Sequence, residues 1–320
     1  MSVDEFTSGC VRKSRAEKAA EKWRRRCRRF EDVQCEALMS DKEANEKMNT
    51  NAPDHRIAII ADVQCADHDD GWNFLKTQKR YFRHALRATT SAVKMWNTIP
   101  DLDLIMQLGD LIDGRNSKIK GESERMLEKV HDILKTCKTK EMEHLIGNHE
   151  LYNFDRTFMK EHKLLQIPTP SWHVRDVGKK WRFVMLDAYV VSTLSKDPVQ
   201  CAKAWDIIGK HNHNIDGKNR VLITKDFKKG MVGTERRFVP YNGALGDKQL
   251  DFLKRVLTEN TSRNIILFSH IPTLPGSSLT ATDTLLLDYE DVLKVIRDHG
   301  KGHVVAFMAG HYHQGGYAFD

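Results

Sequence analysis

The chain has no apolar run approaching the length of a bilayer span, which argues against a spanning helix. A secretory leader is not expected from its opening residues either. The opening residues, MSVDEFTSGCVRKSRAEKAA, contain no apolar h-region, and their mixed acids are unlike a transit peptide. Cysteine is sparse: Cys10, Cys27, Cys35, Cys65, Cys137 and Cys201 are scattered, and none shares C-x-x-C spacing. A disulfide scaffold and a closed thiolate zinc site are therefore not expected, and a reduced, cytoplasmic setting fits best. P-loop, G-x-G-x-x-G and G-x-S-x-G signatures are missing too, which removes the common nucleotide-cradling loops and the nucleophile elbow.

What is present is a 320-residue chain, 40% hydrophobic and 30% charged, with a net charge of +7. That size accommodates one large domain or two small ones. The positive charge is local. Residues 11–29 hold ten Lys/Arg against two Glu, a balance of +8 that leaves all other residues together at −1. Residues 1–53 read as a basic extension, helical or disordered, that could meet an acidic partner or serve in targeting. The body, 54–320, is nearly neutral, so no nucleic-acid footprint is expected over it. A nucleic-acid module confined to 11–29 would lose binding, and keep any hydrolysis, when that stretch is deleted.

The body alternates apolar strands with helical stretches, the pattern of an α/β fold with buried sheets. RIAIIAD (56–62), LDLIMQLGD (102–110), EMEHLIG (141–147), WRFVMLDAY (181–189), NIILFSH (264–270) and GHVVAFMAGH (302–311) read as strands. Helices are expected over 71–99, about 122–136 and 246–257. The stretch 191–237, rich in Lys, Asn and His, shows no clear period and reads as an irregular insertion.

Five strands end in hard ligands: Asp62 and Gln64; Asp110; Asn148 with His149; His270; His311 and His313. Singly each has a bland explanation. Asp62 and Asp110 can cap turns, Asp113 reads as a cap, Asn148 suits a turn, and His270 can bond loop backbone. Jointly they point to a metal site, because sites in α/β sheets gather beyond the strand carboxyl ends. Asp, Asn and His without Cys suit Mn²⁺, Fe or Zn²⁺ in an open catalytic centre. Two ions need a bridging carboxylate, and Asp110 beside Gly109 is the natural one. His311 and His313, two apart on extended backbone, share a face.

The ordered blocks ADVQ, GDLID, GNHE, FSH and GHYH resemble the signature of the calcineurin-like metallophosphoesterases. The longer stretches ADVQCAD, RYFRHAL, LGDLIDGRN, GNHELYNFDR, YNGALGDKQLDFL and AGHYHQGGY are similar to the manganese-dependent ADP-ribose/CDP-alcohol diphosphatases. The likeness runs from about 56 to 320. It implies a four-layer α-β-β-α sandwich of two mixed sheets. That fold normally adds strands after G-H-x-H, whereas seven residues follow His313, so a C-terminally incomplete second sheet is allowed for. The resemblance implies Asp62, Gln64, Asp110 and His313 around one ion, and Asp110, Asn148, His270 and His311 around the other. Mn²⁺ is favoured, with Zn²⁺ or Fe as alternatives. His149, otherwise readable as a third imidazole ligand, becomes the free catalytic imidazole. The implied substrates are ADP-ribose and CDP-alcohols such as CDP-choline or CDP-glycerol, hydrolysed by a monomer.

Phe74, Tyr81 and Asn153 lie near the motifs and are weaker candidates for contacts to base or sugar, Asn153 the better of them. The rivals are another phosphodiesterase or phosphatase of this fold, and a non-catalytic scaffold. Gln64 stands where most of the superfamily has His. A neutral amide oxygen is a harder, poorer ligand and tilts preference toward Mn²⁺. Gln64→His is expected to tighten metal binding and change its preference, and an unchanged metal titration refutes this.

Overall fold

The computed structural model describes residues 54–72, 79–260, 262–278, 282–300 and 302–320. The readings placed on 1–53 and on Phe74 lie outside these residues. His55–Asp320 forms one compact unit.

Two sheets carry the unit. The first joins β1 (Ile57–Ile60), β2 (Leu104–Gln107) and β3 (Met142–His144) in the order β1-β2-β3. The second joins β4 (His173–Val177), β5 (Trp181–Met185), β6 (Asn264–Ser269) and β7 (Val304–Ala309) in the order β7-β6-β5-β4. Both sheets were expected to be mixed. The second is mixed, because β4 runs antiparallel to β5. The first is parallel throughout among the described residues.

Alternation along the strands decides what each face meets. Leu104 and Met106 of β2 join Phe183, Met185 and Phe268 of the second sheet in a shared core. The Phe183 and Phe268 rings meet edge-on at 5.2 Å. Ile105 faces the opposite way, into a cluster with Val93, Trp96, Met126 and Val130. These belong to helices α1 (His84–Trp96) and α2 (Glu122–Leu134). On the second sheet, Val184, Ile265 and Leu267 meet the apolar stripes of α6 (Asp247–Glu259) and α7 (Tyr289–His299). The layers are therefore α-β-β-α, as the resemblance implied. In α2 the stripe is Met126, Leu127, Val130 and Leu134, at helical spacing, with Glu122 and Glu124 in its first turn.

Two helix readings change. Instead of a helix over 71–99, Gly71–Trp72 pairs antiparallel with Lys79–Arg80, and α1 starts only at His84. The residues before it are spent on tertiary contacts: Arg80 on Gln64, Arg83 on Asp67 and Asp69, and buried Phe82 under the Arg115 guanidinium. The stretch 191–237 is less irregular than its composition suggests. It contains α5 (Pro198–His211), capped by the Asp197 carboxylate on the amides of Val199 and Gln200. Only Ala204 and Ile208 of that helix are buried, one helical turn apart, so the sequence carries little period. Two short helices, α3 (Asn148–Asn153) and α4 (Arg156–Glu161), follow β3.

His144 of β3 is buried beside Gln107, its Nδ1 3.3 Å from the amide oxygen. Burial pushes the imidazole down to about 4. The unfolded chain takes up this proton near pH 6.5 and the folded one does not, so this contribution is complete above 6.5 and is lost as pH falls toward 4. His144→Gln is expected to flatten that slope, worth about 3 kcal/mol at most. Urea midpoints of the variant and wild type across pH 4–7 measure it.

Candidate active site

The site is made where strands stop. Asp62 follows β1, Asp110 follows β2, Asn148 follows β3 as the first residue of α3, His270 follows β6, and His311 follows β7. Among the described residues, seven non-glycines have positive φ, and four are here: Asp62 (53°), Gln64 (45°), Asp110 (63°) and His311 (64°). Such backbone costs about 1–3 kcal/mol per residue, and its concentration here marks a functional arrangement. Gly109 also turns left-handed, at φ 102°, and a Cβ there would lie 2.5 Å from His270 Nδ1. The turn into the last motif is made by His311 itself. Gly310 matters by lacking a side chain, since a Cβ would lie 2.7 Å from Asp62 Oδ2.

Two groups of donors converge on one carboxylate. Asp110, His270 and His311 form one, and Asp62, Asp110 and His313 the other; within each, one ligand atom per residue lies within 4.8 Å of the rest. The shared member, Asp110, is fully buried. Its Oδ2 is 3.4 Å from His270 Nε2 and its Oδ1 accepts the His149 amide at 2.8 Å. Burial alone would raise this carboxyl, but the charges of His270 and His149 outweigh it and hold Asp110 well below the usual range. Burial likewise lowers His270, and Asp110 overcomes it, so that His270 is pushed up to about 9. Burial, then the charge of His270, keeps His311 well below its ordinary value.

The loops are tied together by Glu150. Its buried carboxylate accepts the amides of Asp110 (2.6 Å), Leu111 (2.7 Å) and Gly147 (2.8 Å). Burial and then the Asp110 charge push this carboxyl up to about 7 against those three bonds. The Asn148 amide oxygen accepts the Tyr189 hydroxyl at 3.1 Å. His149 accepts the Gly114 amide on Nδ1 at 2.7 Å, so its neutral ring carries the proton on Nε2, 3.8 Å from Asp110 Oδ2. Asp113 lies 3.5 Å from the same Nδ1 and caps the following turn through the Arg115 amide.

Gln64 sits among these groups in an orientation that ligand chemistry did not anticipate. Its amide nitrogen donates to Asp110 Oδ2 at 2.9 Å and lies 3.2 Å from His313 Nε2, while its oxygen is taken by Arg80. Arginine only donates, so the assignment is chemically forced. Ligation through the oxygen requires the amide to turn over and release Arg80. Asn153 departs from its expected role as well. Its amide donates to His149 O (2.7 Å) and Asp113 O (3.2 Å) and accepts from Ser123, which makes it a brace for α3 rather than a substrate contact. Tyr81 is exposed at the mouth of a hollow of about 400 Å³ that also contains Asp62, Gln64, Arg80 and His313.

A larger cleft of about 1200 Å³ opens over Asp110, Asn148, His149 and His311. Arg80, Arg115 and Lys118 bring positive charge to it, and Trp72, Phe82 and Tyr152 bring aromatic surface. The donor set fits divalent cations: hard oxygens and imidazoles, a buried carboxylate common to two groups, and no thiolate among them.

The family model described as calcineurin-like phosphoesterase matches residues 55–315. The chain belongs to that family. Among characterised calcineurin-like relatives, it is 34% identical over 287 residues to the manganese-dependent ADP-ribose/CDP-alcohol diphosphatase of Danio rerio, covering 84% of each chain. The enzymes of that name from Homo sapiens and Oryza sativa are 34% and 36% identical, covering 82% and 85% of this chain and 78% and 81% of theirs. A crystal structure of a dimetal phosphatase from Danio rerio superposes with a TM-score of 0.74 at 33% identity, covering 84% of this chain and 85% of that one. No described helix is long and apolar enough to cross a membrane.

Of the donors named from the sequence, the structure brings together Asp62, Asp110, His270, His311 and His313; sequence reading assigned no part to Arg80, Glu150, Tyr189 or Asn242. Arg80, Glu150 and Asn242 stand inside the stretches that carried the resemblance, yet no spacing rule distinguishes them there.

Because His270 keeps its proton up to about pH 9, a cation bound by its Nε2 must displace that proton. Metal uptake at pH 7–8 is expected to release about one proton from this residue, and affinity is expected to rise with pH toward 9. Calorimetric titration in buffers of different ionisation enthalpy measures the release, which His270→Ala should remove.

Proposed function

We propose that the chain is a two-metal hydrolase that cleaves the diphosphate of ADP-ribose, giving AMP and ribose 5-phosphate, and of CDP-alcohols such as CDP-choline, giving CMP and the phospho-alcohol. The observation that carries the reading is the sharing of buried Asp110 between two donor groups, with the Nε2–H of His149 beside it in a cleft that Arg80, Arg115 and Lys118 also line. The names and coverage of the curated relatives support the substrate class and Mn²⁺. Zn²⁺ and Fe remain chemically compatible with the donors.

Asp110 with Asp62 and His313 would hold one ion, and Asp110 with Asn148, His270 and His311 the other; Gln64 joins the first only after its amide turns. Bound there, two such ions would supply neutralisation of phosphoryl charge and a lowered pKa for an attacking water. The chain's own residues do the rest. Arg80, Arg115 and Lys118 attract and align the diphosphate. His149 offers its Nε2–H as a hydrogen bond to the departing phosphate oxygen and so stabilises its charge, and the Gly114 amide on Nδ1 keeps the tautomer that makes this bond possible. The aromatic surface of the cleft suits a base. A cytoplasmic monomer is the proposed form.

Chelator-treated protein should be inactive and regain ADP-ribose and CDP-choline hydrolysis with Mn²⁺ before Zn²⁺ or Mg²⁺. Asp110→Ala should abolish turnover. His149→Gln should lower kcat by about 10²–10⁴-fold with metal uptake intact. Hydrolysis of simple phosphodiesters alone would keep the fold and reassign the substrate, and no turnover by folded, metal-loaded protein would favour a scaffold.

A further inference from the structure

We propose that Tyr189 and Asn242 are positioning residues for the inner ion, the one served by Asn148, His270 and His311, and that through them it binds more tightly than the outer ion. The proposal rests on the two-ion reading above.

Two loop segments, 187–192 and 241–244, meet near these donors. Val191 pairs with Ala244 and Ser192 with Gly243 in a short antiparallel ladder. The approach is close enough to exclude a side chain at Gly243, whose Cβ would overlap the Ala188 carbonyl and lie 3.2 Å from Tyr189 Cα.

From the first segment, wholly buried Tyr189 donates its hydroxyl to Asn148 Oδ1 at 3.1 Å and sets its ring 6.0 Å from that of His270. Tyr189 is itself anchored. Its amide donates to Asp187 Oδ1 at 2.8 Å, and its carbonyl accepts Arg156 Nη2 at 3.1 Å. Arg156 also pairs with Asp187 at 2.5 Å, and the Gln249 side chain exchanges two bonds with the Asp187 backbone.

From the second segment, wholly buried Asn242 donates its amide nitrogen to the Arg237 and Asp283 carbonyls, both at 2.8 Å. Its oxygen therefore faces His311 Nε2, at 2.9 Å, and that nitrogen must carry the proton. The Nδ1 lone pair of His311 is left on the side of His270 Nε2, 3.1 Å away. The His270 ring is held in place by the bond from its Nδ1–H to Leu108 O at 2.7 Å, which leaves Nε2 facing His311. Tautomer and ring angle are thus set in advance, which raises metal affinity.

The outer group is built differently. Asp62 and His313 are both partly exposed, where the inner group has only His311 so placed, and Gln64 presents an amide NH₂ to His313 and Asp110 until it turns. A cation arriving there has to reorganise the donors it meets.

The test is calorimetric titration of the metal-free full chain with Mn²⁺ alone, backed by the visible spectrum of the Co²⁺-loaded protein and the melting temperature of the metal-free protein. Wild type is expected to take two ions in unequal steps. Tyr189→Phe should weaken the tighter step by about 10–100-fold, leave the weaker step and the metal-free melting temperature unchanged, and alter the Co²⁺ bands. Asn242→Asp, which keeps an oxygen toward His311, should retain more of the tight step than Asn242→Leu. Should Asn242→Leu fail to fold, Tyr189→Phe, which loses one hydroxyl, decides alone. Two unchanged steps in Tyr189→Phe overturn the proposal. So does equal weakening of both steps with a lower metal-free melting temperature, which signifies a merely structural role. Two equal steps in wild type overturn it while sparing the two-ion reading, and no uptake by wild type overturns both.

Discussion

Asp110 carries the heaviest constraint in the molecule. A carboxylate removed wholly from water costs several kcal/mol unless charge and hydrogen bonds offset it. Here His270 supplies the larger share of the charge, and the His149 amide and the Gln64 side chain supply the bonds. The oxygens left between the two histidine groups describe where positive charge is wanted. The need to keep one acid buried and doubly approached explains why five loops from two sheets must end within a few ångströms of each other.

Holding those loops uses up other buried polar groups. Glu150 binds the Asp110 turn to the Gly147 turn through three amides, so the ends of β2 and β3 are tied together. Asn153 fastens α3 to the turn at Asp113, which keeps His149 against Gly114. Positive φ at Asp62, Gln64, Asp110 and His311 is stable only because the sheets behind them are packed and leave the strand ends nowhere else to go.

Much of this was legible in the chain. The six apolar runs became β1, β2, β3, β5, β6 and β7; β2 is covered on both faces and apolar at consecutive positions, whereas Ile59 of β1 and Val305 of β7, on edge strands, are exposed. The donors Asp62, Asp110, Asn148, His270, His311 and His313 converge as their motif order implied. The segment before α1 was misread because its aromatic and basic residues mimic a helical face, whereas Phe82, Arg80 and Arg83 are held by partners far along the chain. Helix α5 escaped notice because a helix that buries only Ala204 and Ile208 writes almost no period.

The sequence by itself determined the alternation of strands and helices, the strand ends that carry acidic, amide and imidazole side chains and the chemical type of those groups, because each depends on local pattern and residue identity; the layer order was implied by the family resemblance. Tertiary structure alone decided orientation. Which end of the Gln64 amide faces Asp110, which nitrogen of His149, His270 or His311 bears the proton, and whether Asn153 meets solvent or backbone all depend on partners brought in by folding: Arg80, Gly114, Leu108, Asn242 and Ser123. A hydrogen bond's direction is a property of two groups at once, and a linear pattern names only one of them.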